Sequence, residues 1–215
     1  MAPYSPNLLQ HLHTNTDLIF VRNLTLPDEL QHQIDALDVD RIPWDTAGRK
    51  GGLTDYTNGY HKIYPVWNSE WQLLLAGEIF NLCIQQFREL DPSAVVKSVV
   101  RAIRNLSKLD GVMTDASVHQ DIVSLTHWSF LVYLKGTSGS TDFITSMTNP
   151  TILHSVNFEC NKLIAFPSVY AHQGHLPVDN NHRIVLNYVL EIDSEFNSRI
   201  AEKSSMMLKK QLGVV

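Results

Sequence analysis

Apolar residues recur along this chain with two different periods, and the change near residue 94 divides it. Before that point the period is helical. Pro27-Asp28-Glu29-Leu30 sets a proline and two acids ahead of Leu30, Ile34 and Leu37, which predicts a helix start. A longer helix, capped by Asn68 or Ser69, carries Trp71, Leu74, Leu75, Ile79, Cys83 and Phe87 at helical spacing, and Asp91-Pro92 ends it. After Ala94 the β-branched run Val95, Val96, Val99, Val100 and Ile103 lacks helical caps and predicts a strand. Further strands are predicted at Trp128–Leu134, Thr151–Phe158, Leu163–Phe166 and Arg183–Ile192. From Ser194 the pattern turns helical again, with Phe196, Ile200, Met207 and Leu208 on the apolar side.

Short strands separated by turns, with helices before and after, predict an α+β chain with a mainly β core, an antiparallel barrel or jelly roll with helices packed outside. No repeat or linker interrupts it, so residues 1–215 read as a single domain: a helical N-terminal part over 1–94, the β core over 95–192 and a C-terminal helix over 193–215. Between the two early helices, Ala47 to Tyr64 is rich in glycine and tyrosine. This segment is either a plain connector or a mobile lid over a site.

Composition narrows the classes. Hydrophobic residues at 44% and charged residues at 18% describe a globular chain, not a disordered, collagen-like or disulfide-built one. The longest apolar run, Leu73 to Ile84, is broken by Glu78 and falls short of the roughly 18 residues of a membrane span. No basic start precedes an apolar stretch, so no secretory signal and no membrane partner are expected. Two cysteines make no disulfide framework and suit a reducing cytoplasm, with Cys160 a small filler in a strand. A net charge of -5 argues against a broad nucleic-acid surface. Oligomeric state stays open.

The chemistry lies among the ten histidines. In His119-Gln120-Asp121 an imidazole and a carboxylate share one face of an extended segment and can meet one ion. Alone the pair says little, since roughly 0.65 such pairs are expected by chance in a chain of this make-up. Downstream, Phe166-Pro167 leads to His172, and Arg183 opens an apolar strand eleven residues later. A distant histidine completes a two-His, one-carboxylate set, which leaves three positions open on an octahedral metal and is diagnostic for non-haem Fe(II) oxygenases. An arginine on a neighbouring strand can clamp a dicarboxylate with its planar fork.

At these residues the chain resembles the Fe(II)/2-oxoglutarate-dependent dioxygenase superfamily, in its prolyl-4-hydroxylase-like branch. The resemblance runs from about Val99 to Ile192. It rests on Thr114 to Asp121, Ser129-Phe130-Leu131-Val132-Tyr133-Leu134, the Ser138-Gly139-Ser140-Thr141-Asp142-Phe143 turn, the Phe166-Pro167 to His172 spacing and the Arg183 to Asn187 strand. It implies a double-stranded β-helix with His119, Asp121 and His172 as iron ligands. Arg183 and Tyr133 would hold the distal carboxylate of 2-oxoglutarate, with Ser129 on the same inward face. Asn187, four beyond Arg183, would point inward near substrate, with His127 close to the loop that faces it. Outside the resemblance, the composition of the Gly48–Tyr64 segment and its place before the barrel offer Arg49, Lys50, Tyr56 and Tyr60 as further substrate contacts of a lid. Val185 departs from the family, where many relatives have Ser or Thr. The implied enzyme consumes 2-oxoglutarate and O2, releases succinate and CO2, and hydroxylates an amino acid, a prolyl residue or another small molecule. Two other classes stay open: a zinc hydrolase using the same ligands, and a non-catalytic jelly-roll binding module.

Overall fold

A computed structural model describes residues 14–36, 60–63, 70–107, 118–145, 147, 150–175, 177 and 183–202, the backbone alone at 60–63, 70–76 and 101–107. Helix α1 spans Asp28–Asp35 and α2 spans Glu70–Leu90. The strands are β1 (Phe20–Asn23), β2 (Tyr60–Ile63), β3 (Val95–Ser107), β4 (His127–Lys135), β5 (Ser140–Ile144), β6 (Ile152–Asn157), β7 (Lys162–Pro167), β8 (His172–His175) and β9 (Arg183–Asp193). Residues 195–202 form α3. A six-stranded antiparallel sheet runs β1-β7-β4-β9-β3-β2 and a three-stranded one runs β6-β5-β8. Facing each other, they make the expected jelly roll, a double-stranded β-helix.

Strands β4 and β9 are buried along nearly their whole length because each has a partner on both faces. On β4, Trp128 and Phe130 point to the helices, where the Phe87 ring of α2 lies 4.8 and 5.4 Å away. The alternate residues Ser129, Leu131 and Tyr133 face the small sheet across the barrel. On β9, Tyr188 meets Phe80 of α2 at 5.5 Å, so Arg183, Val185, Asn187 and Val189 take the inward face. Phe20 of β1 and Phe196 of α3, 5.1 Å apart, complete the aromatic layer under the helices.

Several expectations change here. The N-terminal part supplies β1 and β2, the two edges of the large sheet, as well as helices. Tyr60 belongs to β2, opposite Ser107, while Arg49, Lys50 and Tyr56 lie outside the described residues. Cys160 sits exposed in the turn before β7 rather than inside a strand, because Asn161 at φ 64 reverses the chain there. Cys83 is buried in α2. No helix among the described residues is long and apolar enough to cross a membrane.

Asp91, fully buried after α2, ties the two ends of the barrel's outer layer. Its Oδ2 accepts from the Ser194 hydroxyl at 2.6 Å and the Glu195 amide at 3.0 Å, capping α3, while Oδ1 accepts from Ser93. Burial pushes this carboxyl upward, but the bonds from Ser194, Ser93 and Glu195 outweigh it and hold the acid below its ordinary value. A depressed acid stabilises the fold above the unfolded carboxylate pKa and loses that contribution as pH falls through the folded value. Replacing Asp91 by Asn should therefore cost about 1–2 kcal/mol in urea unfolding at pH 7, with the difference from wild type shrinking below about pH 4. A gap that stayed constant with pH would contradict this origin.

Candidate metal centre

His119 and Asp121 belong to no strand of either sheet, yet hydrogen bonds hang their segment on the turn that leads into β8. The His119 amide donates to the His172 carbonyl at 3.0 Å, and the His172 amide returns a bond to the His119 carbonyl at 2.9 Å. The Asp121 amide donates to the Ser168 carbonyl at 3.0 Å, and Gln120 Nε2 to the Val169 carbonyl at 2.6 Å. As a result His119, Asp121 and His172 bring one ligand atom each within 4.8 Å of one another. Asp121 stands 3.9 Å from His119 Nε2 through Oδ1 and 3.7 Å from His172 Nε2 through Oδ2. Those separations are too long for hydrogen bonds and suit donors arranged around a shared ion.

The donor set fits a divalent metal. His172 Nδ1 lies 3.0 Å from the Tyr170 carbonyl, which can only accept, so the proton sits on Nδ1 and the Nε2 lone pair faces Asp121. The Phe166 and Phe143 rings wall His172 at 4.8 and 6.2 Å. The side chains of Asp121 and His172 are 1% and 4% exposed against 41% for His119, so the centre opens on the His119 side. Asp121 Oδ2 accepts from the Ser129 hydroxyl at 2.7 Å, and Ser129 Oγ lies 2.8 Å from Ser168 Oγ.

A second polar group assembles further along the barrel. Arg183 opens β9 with its guanidinium buried against the small sheet, where Nη1 donates to the Ser140 carbonyl at 3.3 Å. Glycines make room for it: a Cβ on Gly139 would stand 2.6 Å from Nη1, and one on Gly174 would stand 3.6 Å from Nη2. The Tyr133 hydroxyl donates to Thr141 Oγ1 at 2.6 Å. Burial pushes that phenol up to about 12, against the pull of the Thr141 bond and the Arg183 charge, so it stays a neutral donor. On the small sheet Thr141 pairs with Gly174 and Phe143 with His172, which sets this cluster two residues along β8 from His172.

The remaining residues sort by geometry. Asn187 faces inward opposite Leu131, between the Ser129 and Tyr133 rows, and its buried Oδ1 has no hydrogen-bond partner among the described residues. His127 Nδ1 lies 2.7 Å from Ser124 Oγ on the loop that precedes it. His175 Nε2 lies 2.8 Å from Asp142 Oδ2, whose other oxygen takes the Ser155 hydroxyl, so this histidine is engaged elsewhere than His172. Ser129, expected among the co-substrate contacts, has its hydroxyl on Asp121. Ser168 and Gly139 carry no signal in the sequence because their partners Ser129 and Arg183 are distant along it, and Thr141 carries none because Ser140-Thr141-Asp142 has a turn's composition. Gly139 combines a φ of 103 with a Cβ position that would also lie 2.8 Å from the His175 carbonyl. Gly139→Ala should lower stability by about 1–3 kcal/mol in chemical denaturation, and an unchanged midpoint would show that the guanidinium is not wedged there.

The sequence matches no protein-family model and no curated protein. Solved structures do match. An oxidoreductase of the 2OG-Fe(II) oxygenase family from Burkholderia pseudomallei is similar at TM-score 0.57 and 12% identity, over 86% of this chain and 88% of that one. A Trichoplax adhaerens prolyl hydroxylase, in complex with a hypoxia inducible factor peptide fragment, matches at 0.57 and 10%, over 94% and 91%. HygX from Streptomyces hygroscopicus, with nickel and 2-oxoglutarate bound, matches at 0.53 and 8%, over 91% and 89%. At these identities the likeness is one of fold: the chain is a double-stranded β-helix of the kind found in these oxygenases.

Proposed function

We propose that this chain is a non-haem Fe(II)/2-oxoglutarate-dependent oxygenase that hydroxylates an unactivated C–H bond of an amino acid, a prolyl residue or another small molecule. The observation that carries this reading is the joint presence of two clusters in one barrel. His119, Asp121 and His172 form a two-imidazole, one-carboxylate donor set of the kind Fe(II) oxygenases use. Arg183, Tyr133 and Thr141 lie two residues along β8, about 7 Å away, a reach suited to a five-carbon dicarboxylate. HygX binds nickel and 2-oxoglutarate in the same fold.

Held by His119, Asp121 and His172, Fe(II) would couple two oxidations by one O2, oxidative decarboxylation of 2-oxoglutarate to succinate and CO2 and hydroxylation of the substrate, with one oxygen atom going to succinate and one to the new hydroxyl. The protein's own groups do the rest. Arg183 takes the distal carboxylate with its fork, and the Tyr133 hydroxyl adds a neutral donor beside it. Phe143 and Phe166 keep water from the His172 side. Substrate approaches over the exposed His119 side, and the buried Asn187 amide offers a hydrogen bond inside. HygX has also been solved with hygromycin B and the Trichoplax enzyme with a peptide, so small-molecule and peptidyl substrates both belong in the screen. A zinc hydrolase would use the same three ligands but leaves the buried Arg183 without a task. A binding module needs no complete ligand set.

Anaerobic addition of Fe(II) and 2-oxoglutarate to the apo-protein should give a weak visible charge-transfer band that needs both components, followed by succinate release on screening amino acids and prolyl peptides. No band, with tight zinc binding in its place, would move the assignment to a hydrolase or a binding module. Arg183→Leu should raise the 2-oxoglutarate requirement about 100-fold, the equivalent of losing a charge-assisted clamp, with Fe(II) affinity nearly intact. An unchanged requirement would remove Arg183 from the co-substrate site.

A further inference from the structure

Resting on that reading of the metal centre, we infer that Ser129 and Ser168 are positioning residues for the ligand Asp121, a two-hydroxyl relay that fixes the rotation of its carboxylate, and that Ser129 is not a contact of the co-substrate. Each hydroxyl has one proton to give. Ser129 Oγ lies 2.7 Å from Asp121 Oδ2, and an ionised carboxylate can only accept, so the Ser129 proton points at Asp121. The 2.8 Å contact between the two serines must then run from Ser168 to Ser129. Both serines are 0% exposed, so water does not compete for these protons. A co-substrate carboxylate is also an acceptor, and Ser129 has no second proton to offer it.

Ser168 grips the same ligand twice. Its carbonyl accepts the amides of Asp121 at 3.0 Å and Ile122 at 3.3 Å, while its hydroxyl feeds the bond to the Asp121 side chain. Backbone and carboxylate are thereby referenced to one residue at the β7–β8 turn, four before His172. With Oδ2 tied to Ser129, the carboxylate is turned so that Oδ1 stands 3.9 Å from His119 Nε2 and Oδ2 stands 3.7 Å from His172 Nε2. The relay thus holds the carboxylate with one oxygen toward each imidazole, the rotation in which the three donors can share an ion. Hydrogen bonds behind a ligating carboxylate are worth about 10–100-fold in metal affinity.

The test separates a role on the ligand from a role on the co-substrate. Apo wild type, Ser129→Ala, Ser129→Thr and Ser168→Ala are titrated with Mn(II), following the resonance of the free ion. Each metal-saturated protein is then titrated calorimetrically with 2-oxoglutarate. Ser129→Ala should bind Mn(II) about 10–100-fold more weakly. Ser168→Ala should show a smaller loss, and Ser129→Thr, which keeps a hydroxyl, should stay near wild type. Affinity for 2-oxoglutarate should be the same in all metal-saturated forms. Intact Mn(II) affinity in Ser129→Ala, with or without weaker 2-oxoglutarate binding, overturns the inference. Should Ser129→Ala fail to fold by circular dichroism, Ser168→Ala decides by the same criterion. His119→Ala is the control for the underlying reading: if it binds Mn(II) like wild type, the metal centre itself is misassigned, whereas lost binding there beside an unaffected Ser129→Ala refutes the relay alone.

Discussion

The reciprocal backbone pair between His119 and His172 makes the segment that carries His119 and Asp121 behave as a short extra strand on β8. Everything chemical in the molecule depends on that pairing. Asp121 and Gln120 extend it through bonds to Ser168 and Val169, so three successive residues of the segment are referenced to one turn. Without it the first two donors would ride on a connection with no ladder partner of its own. With it, their separation from the third donor is set by strand geometry, which varies little.

Burial then makes the donor set demanding. A carboxylate whose side chain is 1% exposed, between two imidazoles too distant to donate to it, is costly to hold in a barrel interior. The Ser129 hydroxyl offsets part of that cost, and a cation among the three donors would offset much more. The same logic applies to Arg183, a buried cation lodged against the backbone of the small sheet. Two opposite charges are thus stored at different levels of one barrel, and a divalent cation beside Asp121 together with a carboxylate beside Arg183 would answer both.

Legibility in the sequence followed how each strand is buried. The apolar strands β4, β7 and β9 announce themselves, and so do α1, α2 and α3, whose helical stripes lie against the large sheet. Strand β5 does not, because Ser140-Thr141-Asp142 has a turn's composition and earns its place only by pairing with β6 on one side and β8 on the other. Strand β8, His172-Gln173-Gly174-His175, has no large apolar residue at all. Short β1 and β2 sit where local pattern is weakest, at the sheet edges. Among site residues, His119, Asp121, His172 and Arg183 were visible through spacing. Ser168 and Thr141 were not, since a buried serine or threonine looks like any other until its partner is known. Gly139 and Gly174 serve by lacking a side chain, which only the neighbouring guanidinium reveals.

The two sheets divide the work unequally. Ser129, Tyr133, Arg183 and Asn187 all stand on β4 and β9, the two central strands of the large sheet, braced from behind by Phe87, Phe80 and their aromatic neighbours. The small sheet has no helix layer of its own among the described residues, and Ile152 on its edge strand β6 is 60% exposed. His172 nevertheless comes from β8, the other edge of that sheet. Its tautomer is set locally by Tyr170, and its backbone is paired with His119. The braced strands therefore fix where Arg183 and Tyr133 stand relative to Ser129 and its partner Asp121, and the unbraced sheet faces them from across the barrel.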